Sequence, residues 1–301
     1  MKKNTLRINF ISFWPNFKKK DNYFYHLLNL KYKVIIDNKN PQIVFHSYDY
    51  SGNEEHKNFD KNKTLKIFFS GENVDPDLNE SNFSFTFRST NKNGNYRLPL
   101  WVLHINWFDI KYKKNRDIGY HIDLKSLLSK KNIINNEFCS FITSNPQGRR
   151  VDFFQKLNDI KKVDSGGRIQ NNLNFQIKGR GDQHWKYNFL KKYKFNIAFE
   201  NTIGMGYVSE KIIQPMSVGS IPIYWGDNQV KKDFNKDSFI FVNDFDNEDK
   251  LLDKIIELNN KPELYIEKLK QPWFSNNKIP ENFLPRNILD YFEENILLKL
   301  K

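Results

Sequence analysis

The residues best suited to chemistry crowd into one stretch, Lys194 to Asp227, which reads KFNIAFENTIGMGYVSEKIIQPMSVGSIPIYWGD. It offers an acid and an amide at Glu200 and Asn201, then a phenol at Tyr207, a second acid at Glu210 and an ammonium at Lys211. A helix start presents unpaired N–H groups and the positive end of a dipole, so it favours an anion. A lysine there adds a full charge, and glycines at 204 and 206 let a ligand approach the backbone. The bland alternative is a solvated glycine loop before an ordinary salt-bridged helix. So many different polar groups at one helix start favour a phosphate-bearing ligand instead.

These groups need particular elements to hold them. Phe195–Phe199 is an apolar run of strand length. A helical pattern starts near Tyr207 or Ser209, runs through Ile212, Ile213 and Met216, and meets a stop at Gly219. Ile221–Trp225 is a second strand. The whole is one parallel crossover unit. Ligands of such sheets bind beyond the carboxyl ends of the strands, where Glu200 and Asn201 stand. Tyr207, Glu210 and Lys211, spaced i, i+3, i+4, are expected on one face of the first helical turn.

The segment FENTIGMGYVSEKIIQPMSVGSIPIYWG resembles the donor-sugar signature of the family 10 α-1,3/4-fucosyltransferases, in particular the bacterial type. The resemblance implies an α/β fold of the GT-B class, with two Rossmann-like domains and a cleft between them. It implies inverting transfer of L-fucose from GDP-fucose. Donor-binding roles are implied for Glu200, Asn201, Tyr207, Glu210 and Lys211. Further segments agree. A helix start with an arginine that contacts the donor diphosphate matches Arg150, with Arg149 as the alternative. Ser70-Gly71-Glu72-Asn73 resembles a strand-Gly-Glu-Asn segment of the family's first domain. The Trp14-Pro15 loop after the first strand resembles the acceptor side, and Trp14 is an acceptor candidate. Val163–Arg168 resembles a glycine-rich loop near the nucleotide.

Composition sets bounds around this. The 301 residues can fill two domains. With 27 Phe and 14 Tyr, disorder is not expected. The net charge of +13 suits an anionic nucleotide-sugar or peripheral association with a negatively charged membrane face. The lysine runs are short and dispersed, and no nucleic-acid motif accompanies them, so no nucleic-acid partner is expected. Cys139 is the one cysteine, which excludes an intrachain disulfide and suits a reducing compartment. No run of about twenty apolar residues marks a membrane span. A cytoplasmic protein, peripheral at the inner membrane, is expected.

The domains are expected at 1–130 for the acceptor, 137–280 for GDP-fucose, and 281–301 as a helix returning toward the first domain. Strands are expected at 6–13, 34–36, 43–45, 65–69, 83–87 and 98–102, and a helix at Tyr187–Tyr193 before the central unit. Asp75-Pro76-Asp77 and Asp244-Phe245-Asp246 match the Asp-x-Asp of metal-dependent transferases. The six histidines are scattered. GT-B enzymes of this kind use cationic side chains instead, so no obligatory cofactor or metal is expected.

The expected reaction moves L-fucose from GDP-fucose to O3, or O4, of GlcNAc in an N-acetyllactosamine-type oligosaccharide acceptor, giving Lewis-type structures on lipopolysaccharide O-antigen. Inversion in a single displacement needs a carboxylate to take the acceptor proton. Glu72 is expected as that base, facing the donor from the first domain. Glu210 is expected on the donor, meeting a hydroxyl or the positive charge developing on the sugar. The alternative is a non-catalytic nucleotide-sugar or glycan-binding protein on the same fold.

Overall fold

The computed structural model describes residues 3–48, 52–89, 94–110, 122–129, 135–177 and 183–300. The chain forms two compact units, Met1–Leu103 with Met205–Tyr207 and Pro280–Lys301, and His104–Gly204 with Val208–Ile279.

The first unit holds a six-stranded sheet in the order β2-β1-β3-β4-β5-β6. Its strands are β1 (Thr5–Ile11), β2 (Lys33–Ile36), β3 (Ile43–Ser47), β4 (Leu65–Phe69), β5 (Phe83–Thr86) and β6 (Asn95–Arg97), with helix α1 at Tyr23–Asn29. Every pairing is parallel. A parallel sheet is buried on both faces, and every residue of β3 is buried. Phe24 and Phe45 stack at 4.8 Å, and Phe292 stacks over Phe45 at 6.1 Å. The segment from Pro280 onward belongs to this unit.

The expected strand at 98–102 does not form. The chain turns at Pro99 into a short helix α2 (Leu100–Leu103). Proline cannot donate to a ladder, while its fixed φ suits a helix start. Trp101 and Val102 are fully buried all the same.

One face of β3 and β4 carries polar groups. His46 stacks on His56 at 4.4 Å and bonds Ser81 Oγ at 2.9 Å, and the buried Lys66 ammonium meets Glu80 at 2.8 Å. Burial, then the charges of His56 and Lys66, push His46 down from 6.5 to about 3. His56 moves the same way, chiefly through burial. The folded state therefore binds fewer protons here than the unfolded chain, and stability falls as pH drops below the unfolded value near 6.5. His46 alone accounts for about 2 kcal/mol between pH 7 and 5, at ~1.4 kcal/mol per pH unit. Urea unfolding should show a lower midpoint at pH 5, with the loss reduced in His46→Asn. An unchanged midpoint would count against this buried neutral histidine.

The second unit holds a five-stranded parallel sheet in the order β11-β10-β9-β7-β8. Its elements are α3 (Leu124–Leu128), β7 (Glu137–Phe141), α4 (Gly148–Ile160), β8 (Val163–Ser165), α5 (Gln183–Leu190), β9 (Tyr193–Phe199), α6 (Glu210–Ser217), β10 (Ile221–Trp225) and β11 (Ile240–Phe241). The division falls after Leu103 and not near 130. Ile105 bridges Ile122, and the Asn135 amide donates to the Tyr193 and Gly219 carbonyls, which ties Asn135 to the second sheet. The helix expected at Tyr187–Tyr193 starts and ends earlier, and Tyr193 opens β9 instead. In a parallel sheet each crossover helix begins where the preceding strand ends, so α4, α5 and α6 all start at the carboxyl edge.

Candidate functional site

The core of the second unit's carboxyl edge is the end of β9. Glu200 is fully buried there. Its Oε1 accepts from the Ser209 N–H at 2.7 Å and the Tyr224 hydroxyl at 3.0 Å. Its Oε2 accepts from the Ser209 hydroxyl at 2.7 Å and lies 3.3 Å from Lys211 Nζ. Ser209 is the N-cap of α6, and its Oγ accepts from the Lys211 N–H and Nζ. A buried carboxylate must be paired and hydrogen-bonded. Glu200 meets that demand within the protein. Expected on the donor side, Glu200 fixes the start of α6 and the reach of Lys211.

Arg150 is also buried, in the first turn of α4. It donates to the Phe199 carbonyl at 2.9 Å, the Glu200 carbonyl at 3.1 Å, Thr143 Oγ1 at 3.2 Å and Asn201 Oδ1. The guanidinium holds the strand end and orients Asn201, while its charge stays at the helix start. Thr143 is packed by the glycine-rich loop: a Cβ on Gly167 would lie 2.3 Å from the Thr143 carbonyl oxygen. Arg149, the alternative, is exposed and lies over the Trp225 ring at 5.2 Å.

Between α4, α5, α6 and the ends of β7 and β9 lies a cavity of about 30 Å³, whose lining includes Thr143, Arg150, Lys186, Asn196, Lys211 and Gln214. Glu210 stands beside it at the first position of α6, its Oε1 3.8 Å from Lys211 Nζ. Burial pushes the Glu210 carboxyl up, but the charges of Lys211, Lys186 and His104 outweigh it and hold the group at about 2. It is an anion across the working pH range.

Tyr207 does not join this helix face. Helix α6 begins at Glu210, so Tyr207 precedes the cap. It belongs to the first unit, buried with its ring edge-on to Phe87 at 5.2 Å. The neighbouring Gly206 explains the exit of the chain: φ is +81°, and a Cβ would meet the Phe87 carbonyl at 2.6 Å.

In the first unit, Trp14 and Glu72 share the carboxyl edge of one sheet. Trp14 follows β1, Glu72 follows β4, and β3 runs between those strands, so the two strand ends are roughly 10 Å apart. Trp14 is half-buried against Phe13 and Phe17. Glu72 is half-buried on a turn. The bonds that close the turn run through Ser70 Oγ, 3.1 Å from both the Glu72 nitrogen and its carbonyl oxygen.

Of the two Asp-x-Asp pairs, Asp75 is bonded to Arg88, and Asp244 is paired with Lys231. Among the described residues no group of three or more His, Cys, Asp or Glu could hold a metal. Sequence reasoning missed Lys186, Thr143 and Tyr224. Ser209 was legible as an N-cap, a serine directly before an acidic first turn.

Two α/β units, each with an all-parallel sheet and one with cations gathered where three helices begin, have the build of a nucleotide-sugar glycosyltransferase. The family model described as glycosyltransferase family 10 (fucosyltransferase) C-term matches residues 128–283, and that of the alpha-(1,3)-fucosyltransferase FucT N-terminal domain matches residues 8–104. The chain belongs to glycosyltransferase family 10. It is 35% identical over 259 residues to an alpha-(1,3)-fucosyltransferase FucT of Helicobacter pylori, covering 78% of this chain and 50% of that protein. Over 78 residues it is 42% identical to alpha-(1,3)-fucosyltransferase B of Drosophila melanogaster, covering 26% of this chain and 18% of that protein. The chain thus spans half the length, or less, of these sequence relatives. A crystal structure of an alpha1,3-fucosyltransferase with GDP-fucose superposes with a TM-score of 0.74 at 28% identity, over 98% of this chain and 91% of that one.

Proposed function

We propose that this protein transfers L-fucose from GDP-fucose, with inversion, to O3 of GlcNAc in an N-acetyllactosamine-type acceptor on lipopolysaccharide O-antigen, giving a Lewis-type structure. The observation that carries the reading is the second unit's cation-lined carboxyl edge, in a chain of family 10. Asn201 and Lys211 meet the donor. Glu210, anionic and beside Lys211, stands where it can hold a sugar or ribose hydroxyl and oppose positive charge at the anomeric carbon. The acceptor oxygen bonds to that carbon as its bond to the diphosphate breaks. The electron pair leaves with GDP, and the acceptor proton goes to Glu72. Trp14 is the proposed stacking face for the acceptor sugar. Cationic side chains meet the leaving charge, so we propose no need for a divalent ion.

We also propose work at the cytoplasmic side of the inner membrane, to which the net charge of +13 would draw the protein. Among the described residues no helix is long and apolar enough to cross a membrane.

The test is a panel of GDP-, UDP- and CMP-sugars against N-acetyllactosamine and lacto-N-biose acceptors, with the product linkage read by NMR. The expected result is an α-1,3 linkage from GDP-fucose alone, unaffected by chelation. Lys211→Ala should raise the donor KM about tenfold or more, as expected for loss of a charge-assisted phosphate contact. Tight GDP-fucose binding with no transfer to any acceptor would replace the enzyme with a binding protein. Preference for UDP- or CMP-sugars would overturn the donor.

A further inference from the structure

The cavity at the carboxyl edge has a third cation that the reading of the sequence did not include. Lys186 sits in the first half of α5 and lines the same cavity as Arg150 and Lys211. The other two have structural work there. Arg150 is bonded to β9's end and Asn201, and Lys211 to the Ser209 cap beside Glu200. Lys186 is half-buried, and among the described residues no hydrogen bond or ion pair at contact distance holds its ammonium. Burial pulls its pKa down, and Glu210 opposes that only in part. Holding a charge in such a place is costly without an anion. Three helices begin at this edge, so their dipoles add to the same demand. Three cationic side chains face two carboxylates, and Glu200 is already bonded in full within the protein.

We infer that Lys186 is a phosphate ligand of the donor, acting with Lys211 to neutralise the diphosphate. The inference rests on the nucleotide-sugar reading above and adds a residue to it. Arg150 then acts on the donor mainly by holding Asn201 and the strand end in place.

The test is calorimetry of guanosine, GMP and GDP with the full chain, its Lys186→Gln and Lys186→Arg variants, and UDP on the wild type. Lys186→Gln should weaken GDP about tenfold or more, GMP less, and guanosine by less than about twofold, because the lost contact is charge-assisted and made to phosphate. Lys186→Arg should recover most of the loss. An equal loss for guanosine and GDP would assign Lys186 to the fold and overturn the inference, as would unchanged GDP binding in Lys186→Gln. UDP binding tighter than GDP on the wild type would overturn the donor reading instead. The loss from uridine to UDP in Lys186→Gln would then still decide the lysine's role.

Discussion

Replacing Glu72 by glutamine is expected to slow fucosyl transfer about 10²–10⁴-fold, the range of a lost general base, with GDP affinity unchanged. Three glutamates compete for the role. Glu200 is fully buried, and its carboxylate is shared among Ser209, Tyr224 and Lys211. Glu210 is held at about 2 by Lys211, Lys186 and His104 despite its burial. A carboxylate that acidic is a poor proton acceptor, because general bases work best with a pKa nearer the operating pH. Glu72 is left, on a turn closed by Ser70 at the same sheet edge as Trp14. Turnover under saturating donor and calorimetry with GDP would be measured together. Near-normal turnover in Glu72→Gln would sink the assignment. The weak basicity of Glu210 makes it a poor substitute, so a base outside these three would then be sought.

The second large effect is on folding. Glu200→Ala should cost about 3–5 kcal/mol of stability, the cost of breaking a buried charged pair by removing one partner. It strands the Ser209 N–H and hydroxyl, the Tyr224 hydroxyl and much of the Lys211 charge. Glu200→Gln keeps an acceptor and should lose distinctly less. Urea unfolding of the three proteins at one pH measures this. A different pattern separates the two roles. If Glu200 were a donor contact, Glu200→Ala would unfold like the wild type and show only a raised donor KM.

The central crossover unit was legible because its two periods are unmistakable. Apolar runs of strand length flank a stretch where Ile212, Ile213 and Met216 recur at helical spacing. Ser209 before Glu210 marks the cap. The direction of each polar side chain was not legible. Residue type says that Glu200 carries charge, and only the fold shows that the charge turns inward onto the cap of α6. Tyr207 was misplaced for a related reason: i, i+3, i+4 spacing has meaning only inside a helix, and the helix begins at Glu210. Lys186 was hidden because α5 was expected a turn later in the chain. The start of the second unit at His104 was not legible: apolar residues run through 104–135 without a sustained period, and only the fold shows Asn135 bonded to the Tyr193 and Gly219 carbonyls.

The division of the chain into segments bears on the order in which it can fold during synthesis. The first unit is assembled from Met1–Leu103, Met205–Tyr207 and Pro280–Lys301. Its sheet emerges from the ribosome early, but Phe283, which packs on Trp101, and Phe292, which covers Phe45 and Phe85, are translated late. At about 5–20 residues per second, some ten seconds or more separate the end of β6 from these rings. The second sheet is complete by Phe241 and needs nothing translated after Ile279. The nascent chain therefore has reason to reverse the usual N-terminal-first order: the second unit settles first, while the earlier-made first unit waits with aromatic surface uncovered.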